Sequence, residues 1–415
     1  ANVVGGPLND LTKVTGDLIL GGTLDVTVPG GGSFDPGIYR VISYDGALTN
    51  NGLALGTTPG GTFFVQTSVA NQVNLVNATG INLNYWDGQD PAQKNNDQVD
   101  GGNGVWTAPG GNDNWTDAEG DINAPWDTQA FAIFTGTPGT VQVDNSIGDV
   151  EASGMQFATG GYVIDGLAPA DTLTLFGGGT GTSIIRVGDG SADGAAYTAT
   201  LNVALAGNTQ LVKTDLGTLV LNGTNTYSGG TQINGGTVQV AADSALGAVA
   251  GALGLDGGQL HTTADIISSR TTTLGSGGGT FLTDTGITLA LQAAIGGAGA
   301  LTKDGAGTLL LAADNTYAGG TTISAGVLQL GNGGSSGSVV GDIANSGTLV
   351  FARGDTSTYA GVVSGSGNVV KNEAGTQVLT GAQTYTGGTT INQGTLQLGV
   401  GGTSGSLLGN VSNNA

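Results

Sequence analysis

The chain has 415 residues, 81 of them glycine, and carries 31 acidic against 9 basic side chains, a formal net charge of −22. That balance disfavours nucleic acid, heparin and anionic membrane surfaces as partners, because each needs clustered cations. With 38% hydrophobic and 10% charged residues, no cysteine and no long apolar run, the chain lacks the signatures of a disordered tail, a disulfide framework and a helical membrane span.

Residues 1–80 read as β-helix rungs built from short alternating strands at 17–20, 23–28, 38–42, 62–67 and 72–76, punctuated by Gly, Asn, Asp and Pro. Residues 81–135 read differently. Trp86, Trp106, Trp115 and Trp126, all four tryptophans of the chain, fall there in an Asn-, Asp- and Gly-rich background, which reads as an irregular excursion. Short strands resume at 140–143, 172–175 and 183–187, and 136–415 reads as β-helix. The glycines follow no Gly-X-Y period, which excludes collagen, and suit tight turns between Val-, Ile-, Leu- and Thr-rich strands. No window shows a capped helical period.

From residue 211 one sentence is spoken three times. Residues 211–240 are LVKTDLGTLVLNGTNTYSGGTQINGGTVQV, residues 301–330 are LTKDGAGTLLLAADNTYAGGTTISAGVLQL, and residues 369–398 are VVKNEAGTQVLTGAQTYTGGTTINQGTLQL. One such unit cannot bury its apolar face alone, so it implies stacked neighbours. Gly229-Gly230, Gly319-Gly320 and Gly387-Gly388 predict a corner intolerant of Cβ atoms, with Tyr227, Tyr317 and Tyr385 packed beside it. Ile233, Ile323 and Ile391 are expected in the core, with Val238/Val240, Leu328/Leu330 and Leu396/Leu398. Alternation sends Gln239, Gln329 and Gln397 to the outer face, as an amide ladder or simply solvated. Gln377 stands where the other copies have Leu219 and Leu309, which marks a shifted or less tightly packed rung. Three short strands per turn, closed by glycine corners, make an all-β parallel β-helix, a solenoid of roughly 17–20 turns. Residues 399–415 echo 331–347 and stop in mid-repeat, so the chain reads as a fragment of a longer precursor.

These blocks closely resemble the passenger-associated transport repeat of bacterial autotransporters (type V secretion), and the intervening SGTLVFARGDTSTYAGVVSGSGNVVKNEAG is similar to that family's spacer. The resemblance is clear over 201–415 and weaker before. It implies a right-handed β-helix exported across a Gram-negative outer membrane and anchored at the cell surface by the chain's own C-terminal β-barrel translocator. A thiol-free chain suits that passage, since it forms no premature disulfides.

Two places are candidate ligand sites. Exposed tryptophans stack on sugar faces, so Trp86, Trp106, Trp115 and Trp126 are candidate glycan residues; the alternative is a small core beneath a loop. Arg353, Gly354 and Asp355 form an Arg-Gly-Asp tripeptide that presents opposite charges to a receptor, or else a structural turn. His261, the one histidine, has no nucleophile motif around it and reads as a surface residue. No catalytic residue, metal or cofactor is assigned: the EF-hand pattern and the repeat-in-toxin nonapeptide are both missing. The expected function is a non-enzymatic surface rod for adhesion, aggregation or biofilm formation. Its partners would be a host receptor, extracellular matrix, a glycan or like molecules on neighbouring cells. A polysaccharide-acting β-helix enzyme and a purely structural self-associating element are the alternatives.

Overall fold

The computed structural model describes residues 8–28, 34–401 and 405–415. It is nearly all strand; the helical elements among the described residues are three short 3₁₀ turns, Gly178–Thr180, Ala192–Ala196 and Asp243–Leu246. The chain forms two compact units, 1–230 with 234–237, and 231–233 with 238–415.

The first unit opens with a mixed arrangement. Thr12–Val14 lies parallel to Gly37–Tyr44, and Leu18–Leu24 parallel to Leu48–Leu55. Gly37–Tyr44 also pairs antiparallel with Gln72–Asn77, which in turn pairs antiparallel with Phe63–Gln66. The pairings of Gln72–Asn77 with Gly37–Tyr44 and with Phe63–Gln66 therefore depart from the stacked parallel rungs expected of 1–80, whereas Leu48–Leu55 keeps a parallel partner. The physical reason is a tight turn: Gln72 N–H bonds Val69 O and Asn71 takes φ +64°, folding the chain straight back.

Parallel coils begin at Leu83. Leu83–Trp86, Phe131–Phe134, Gly154–Phe157, Thr182–Val187 and Gln210–Thr214 lie side by side. Gly104–Thr107, Thr140–Asp144, Tyr162–Gly166, Thr198–Leu201 and Thr218–Leu221 form a second wall. Val150–Ala152, Thr172–Leu175 and Ala204–Ala206 form a third. Every second side chain points inward: Val141, Val143, Ile164, Leu173, Leu201 and Leu219 are each 0% exposed, a dry aliphatic stack.

The second unit repeats this three-walled plan. One wall is Gln259–Thr262, Gly279–Thr283, Leu301–Asp304, Thr321–Ile323 and Ile343–Asn345; another is Thr288–Leu291, Thr308–Leu311, Val327–Leu330, Thr348–Phe351, Asn368–Lys371 and Thr389–Ile391. The coils number about 13, fewer than the roughly 17–20 expected. Part of 1–80 is antiparallel, and excursions at 87–103, 108–130 and 331–342 lengthen individual coils.

The second and third repeat copies sit on different walls. Leu301–Asp304 pairs within the first of those walls, whereas its equivalent Asn368–Lys371 pairs within the second. The cause is arithmetic. The copies start 68 residues apart (369 − 301), while a coil advances about 20, as from Thr348 to Asn368. Sixty-eight residues make three coils and about a third of a fourth, so the same sequence arrives one wall later. Gln329 and Gln397 therefore belong to different walls and form no ladder with each other; each donates to a nearby carbonyl, Gly331 O at 3.0 Å and Gly399 O at 2.8 Å. An amide ladder does exist at another position, where Asn392 Nδ2 donates to Asn372 and Asn414 Nδ2 to Asn392. Ile233, Ile323, Val238, Val240, Leu328 and Leu330 are in the core as expected; Ile391 and Leu396 are half-buried and Leu398 is exposed. The strand carrying the two leucines, Thr395–Leu398, has a strand neighbour on one side only among the described residues. Residues 402–404 of the terminal echo lie outside the described residues, but Ser406 bridges Ala382 as Ser338 bridges Asp314, so the echo is structural.

Candidate functional site

The four tryptophans converge. Trp86 ends Leu83–Trp86, Trp106 lies in Gly104–Thr107, Trp115 in Trp115–Thr116, and Trp126 follows in the loop. The Trp115–Trp126, Trp106–Trp126 and Trp86–Trp115 centroids are 4.5, 4.9 and 5.0 Å apart. The cluster continues through Phe134, which stacks on Phe157 at 4.9 Å inside the coils. All four indoles are buried, at 0–2% exposure. No ring face is offered to a sugar, so the glycan-stacking expectation is corrected to the alternative, a small aromatic core. The reason is energetic: rings of this size stabilise the fold most when removed from water.

The Asp and Asn residues around this core bond the loop to itself. Asp87 accepts the Asp100 backbone N–H and the Asn123 amide, both at 2.8 Å, and burial pushes its carboxyl up to about 6. Asn95 and Asn123 each accept the other's backbone N–H, at 2.8 and 2.6 Å. Lys94 pairs with Asp113 and reaches Asn114 Oδ1 at 3.1 Å. Among the described residues no group of three or more His, Asp or Glu side chains converges as metal ligands would.

The Arg-Gly-Asp tripeptide is turned on itself. Arg353 Nε and Nη2 donate to the two Asp355 oxygens at 2.9 and 2.7 Å, and Nη1 reaches Asp314 at 3.3 Å. Gly354 N–H donates to Gly334 O at 2.9 Å. The guanidinium beside it holds the Asp355 carboxyl below its ordinary range. The opposite charges are spent on each other instead of pointing apart, which corrects the expectation of a presented receptor loop: the tripeptide is a clip between coils.

The sequence reading missed what the repeat lysines do. Lys213 and Lys303 are 0% exposed and Lys371 is 1% exposed. Lys213 Nζ donates to Thr214 O, Asp215 O and Gly235 O at 2.8, 3.0 and 3.2 Å. Lys303 Nζ binds Asp304 O, Gly305 O and Ala325 O in the same way, and Lys371 binds Asn372 O and Glu373 O. Each ammonium ties the carbonyls of its own turn, and in the first two copies those of the next coil. Burial pushes Lys213 down to about 7 and Lys303 to about 8. The recurrence of one lysine at the third position of every copy was the available signal.

The six remaining cations pair with carboxylates: Lys13 with Asp193, Arg40 with Asp189, Lys94 with Asp113, Arg186 with Asp215, Arg270 with Asp243 and Arg353 with Asp355. All nine basic side chains are thus engaged within the chain, and the unbalanced surface charge is acidic. His261 Nε2 lies 2.8 Å from Asp284 Oδ1 on the outer side of neighbouring coils, half-buried, in keeping with a surface role.

The family model of the passenger-associated-transport-repeat matches residues 211–240, 301–330 and 369–398. The chain is 55% identical over 402 residues to a curated relative, the Adhesin BmaC autotransporter of Brucella suis biovar 1 (strain 1330). The alignment takes in 97% of this chain and spans 12% of that relative's length. No solved structure matches.

Proposed function

Because this chain belongs to the autotransporter passengers and carries three of their transport repeats, we propose that it is a surface-displayed β-solenoid segment acting in adhesion, aggregation or biofilm formation. The observation that carries this reading is the 55% identity, over nearly the whole chain, to a protein named as an adhesin. The segment works outside a Gram-negative outer membrane, held there through a β-barrel translocator elsewhere in the precursor, and its role is non-enzymatic. Its targets are a host receptor, matrix, a glycan or like molecules on neighbouring cells.

The physical features fit that role. Contacts between successive coils are local, so the fold can build coil by coil after export. There is no thiol to be trapped in transit. With every cation engaged internally, the acidic exterior resists unspecific attachment to anionic cell surfaces, and contact must come from specific sites.

Latex beads coated with the purified 415-residue chain test the reading on epithelial monolayers and on one another. Adherence or clumping above albumin-coated beads, with competition by soluble chain, is expected. Beads indistinguishable from the albumin control in both formats would overturn an adhesive role for this segment.

A further inference from the structure

One corner of the first unit holds apolar side chains out to water. It is the turn that follows the second wall, and on three successive coils it is long, at residues 108–114, 145–149 and 167–171. Ile147 is 56% exposed and Leu167 49%, and Pro109, Ala168, Pro169 and Ala170 are exposed as well. On the next coil the same corner is made by Asn202 and Val203 alone, and Val203 is 2% exposed. The fold can therefore close this corner in two residues with the apolar side chain inside. The longer turns and their exposed aliphatic tips are not what closure requires.

The three turns are fastened into one ridge. Ser146 N–H donates to Asp144 Oδ1 at 2.8 Å, and Gly148 N–H to Asn145 O at 3.2 Å. Asp171 accepts the Ala168 N–H at 2.6 Å and the Asn145 N–H at 3.3 Å, while Thr172 N–H donates to Asn145 Oδ1 at 2.6 Å, so the second turn is tied to the third. Ile147 reaches back to the first turn: a Cβ on Gly111 would lie 2.9 Å from its Cδ1. Polar atoms are bonded within and between the turns. The apolar tips are left facing outward in a fixed arrangement, which lowers the ordering cost of docking.

The surroundings select a partner. Asp144, Asp149, Asp165 and Asp171 border the ridge, and none has an ion pair among the described residues, because the nine basic side chains are engaged elsewhere. An anionic membrane, or a second copy of this chain at −22, is repelled. A sugar finds no flat aromatic face here to stack on. Branched aliphatic tips flanked by carboxylates match an apolar groove flanked by cations. We propose that this ridge docks on a protein of the target surface, entering an apolar groove bordered by Lys and Arg side chains. The proposal rests on the adhesive reading and supplies its contact surface.

Beads coated with the full chain, with Ile147→Ser/Leu167→Ser or with Ile19→Ser test this on fixed epithelial monolayers. Ile19, 72% exposed on Leu18–Leu24, lies outside the ridge and serves as the control. The double substitution should cut adherence at least about fivefold with an unchanged urea midpoint, and Ile19→Ser should leave adherence intact. Asp149→Lys, in an exposed turn, should lower adherence as well. Raising NaCl from about 0.05 to about 0.5 M should weaken adherence of the unaltered chain. Trypsin treatment of the monolayer should abolish it. Equal adherence by the double variant would overturn the proposal and leave the adhesive reading standing. So would beads of the unaltered chain that clump with one another but never adhere; beads that do neither would overturn both. Adherence that survives trypsin, or flotation of the chain with phosphatidylcholine vesicles, would show a partner other than protein and sink the proposal.

Discussion

Tyr317 Oη and Thr321 Oγ1 meet at 2.7 Å across the Gly319-Gly320 corner, and Tyr385 and Thr389 do the same in the third repeat at 2.5 Å. The corner is what lets them meet. A Cβ on Gly319 would lie closer than 3.0 Å to the backbone at Ala300 in the preceding coil, and Gly320 turns the chain at φ +80°. Tyrosine, two glycines and threonine therefore act as one device: the ring enters the core and its hydroxyl finds a partner without leaving it.

Tyr317→Phe should lower unfolding stability by about 1 kcal/mol, the ordinary net worth of a hydrogen bond. Gly319→Ala should cost more, on the order of 2–4 kcal/mol, because backbone and not a movable side chain meets the new methyl group. Urea midpoints of the two variants check the order; a Tyr317→Phe loss exceeding that of Gly319→Ala would contradict it.

Stability should rise with pH between about 7 and 10. Burial holds the Lys213 ammonium near 7 in the folded chain, against 10.5 when exposed, so over that window the unfolded chain binds more protons. The slope from this group is at most about 1.4 kcal/mol per pH unit. Above about pH 10 the sign reverses, because burial raises Tyr85, Tyr162 and Tyr317 above their ordinary value and only the unfolded chain releases those protons. Lys213→Met should flatten the rise between pH 7.5 and 9.5 in thermal melts, and an unchanged slope would count against a neutralised lysine.

The tryptophan cluster should behave as core. Native emission should resist acrylamide quenching and shift to the red only on unfolding, since all four rings are buried. Trp115→Ala, which removes the ring touching Trp86, Trp106 and Trp126, should cost about 3–5 kcal/mol in a urea titration. Efficient quenching of the folded chain would mean that a ring is open to solvent.

Gln156 should hold the first strands to the coils. Its side chain, 0% exposed, accepts the Ile38 N–H at 2.7 Å and donates to Ile38 O at 2.8 Å, imitating a neighbouring strand. Gln156→Ala leaves two buried backbone groups without partners, a loss of about 2–4 kcal/mol. Limited proteolysis should then release fragments cut between residues 45 and 80 sooner than in the unaltered chain. Equal cleavage rates would show that the bracket contributes little.

The repeat, its glycine corners, the alternating apolar positions and the resulting parallel solenoid were all legible along the chain, because each depends on neighbours within one or two coils. Gln377 announced itself too, as a polar residue in a leucine column. The lysine contacts were not legible, and the clip at Arg353 and Asp355 and the closed aromatic cluster stood in the sequence only as alternatives, a structural turn and a small core, that it could not choose. Each depends on where a long side chain ends up, and that is set by distant segments: Trp126 meets Trp106 only after the loop between them folds, and Arg353 finds Asp314 from 39 residues away.

Composition and periodicity by themselves determined that this protein coils, stacks and keeps a dry aliphatic interior, since strand alternation and glycine turns are local properties of the backbone. Tertiary packing alone decided which wall each repeat occupies and which polar groups are sealed inside. Those outcomes follow from the ratio of repeat spacing to coil length and from the desolvation cost of every buried charge, neither of which any single stretch of residues contains.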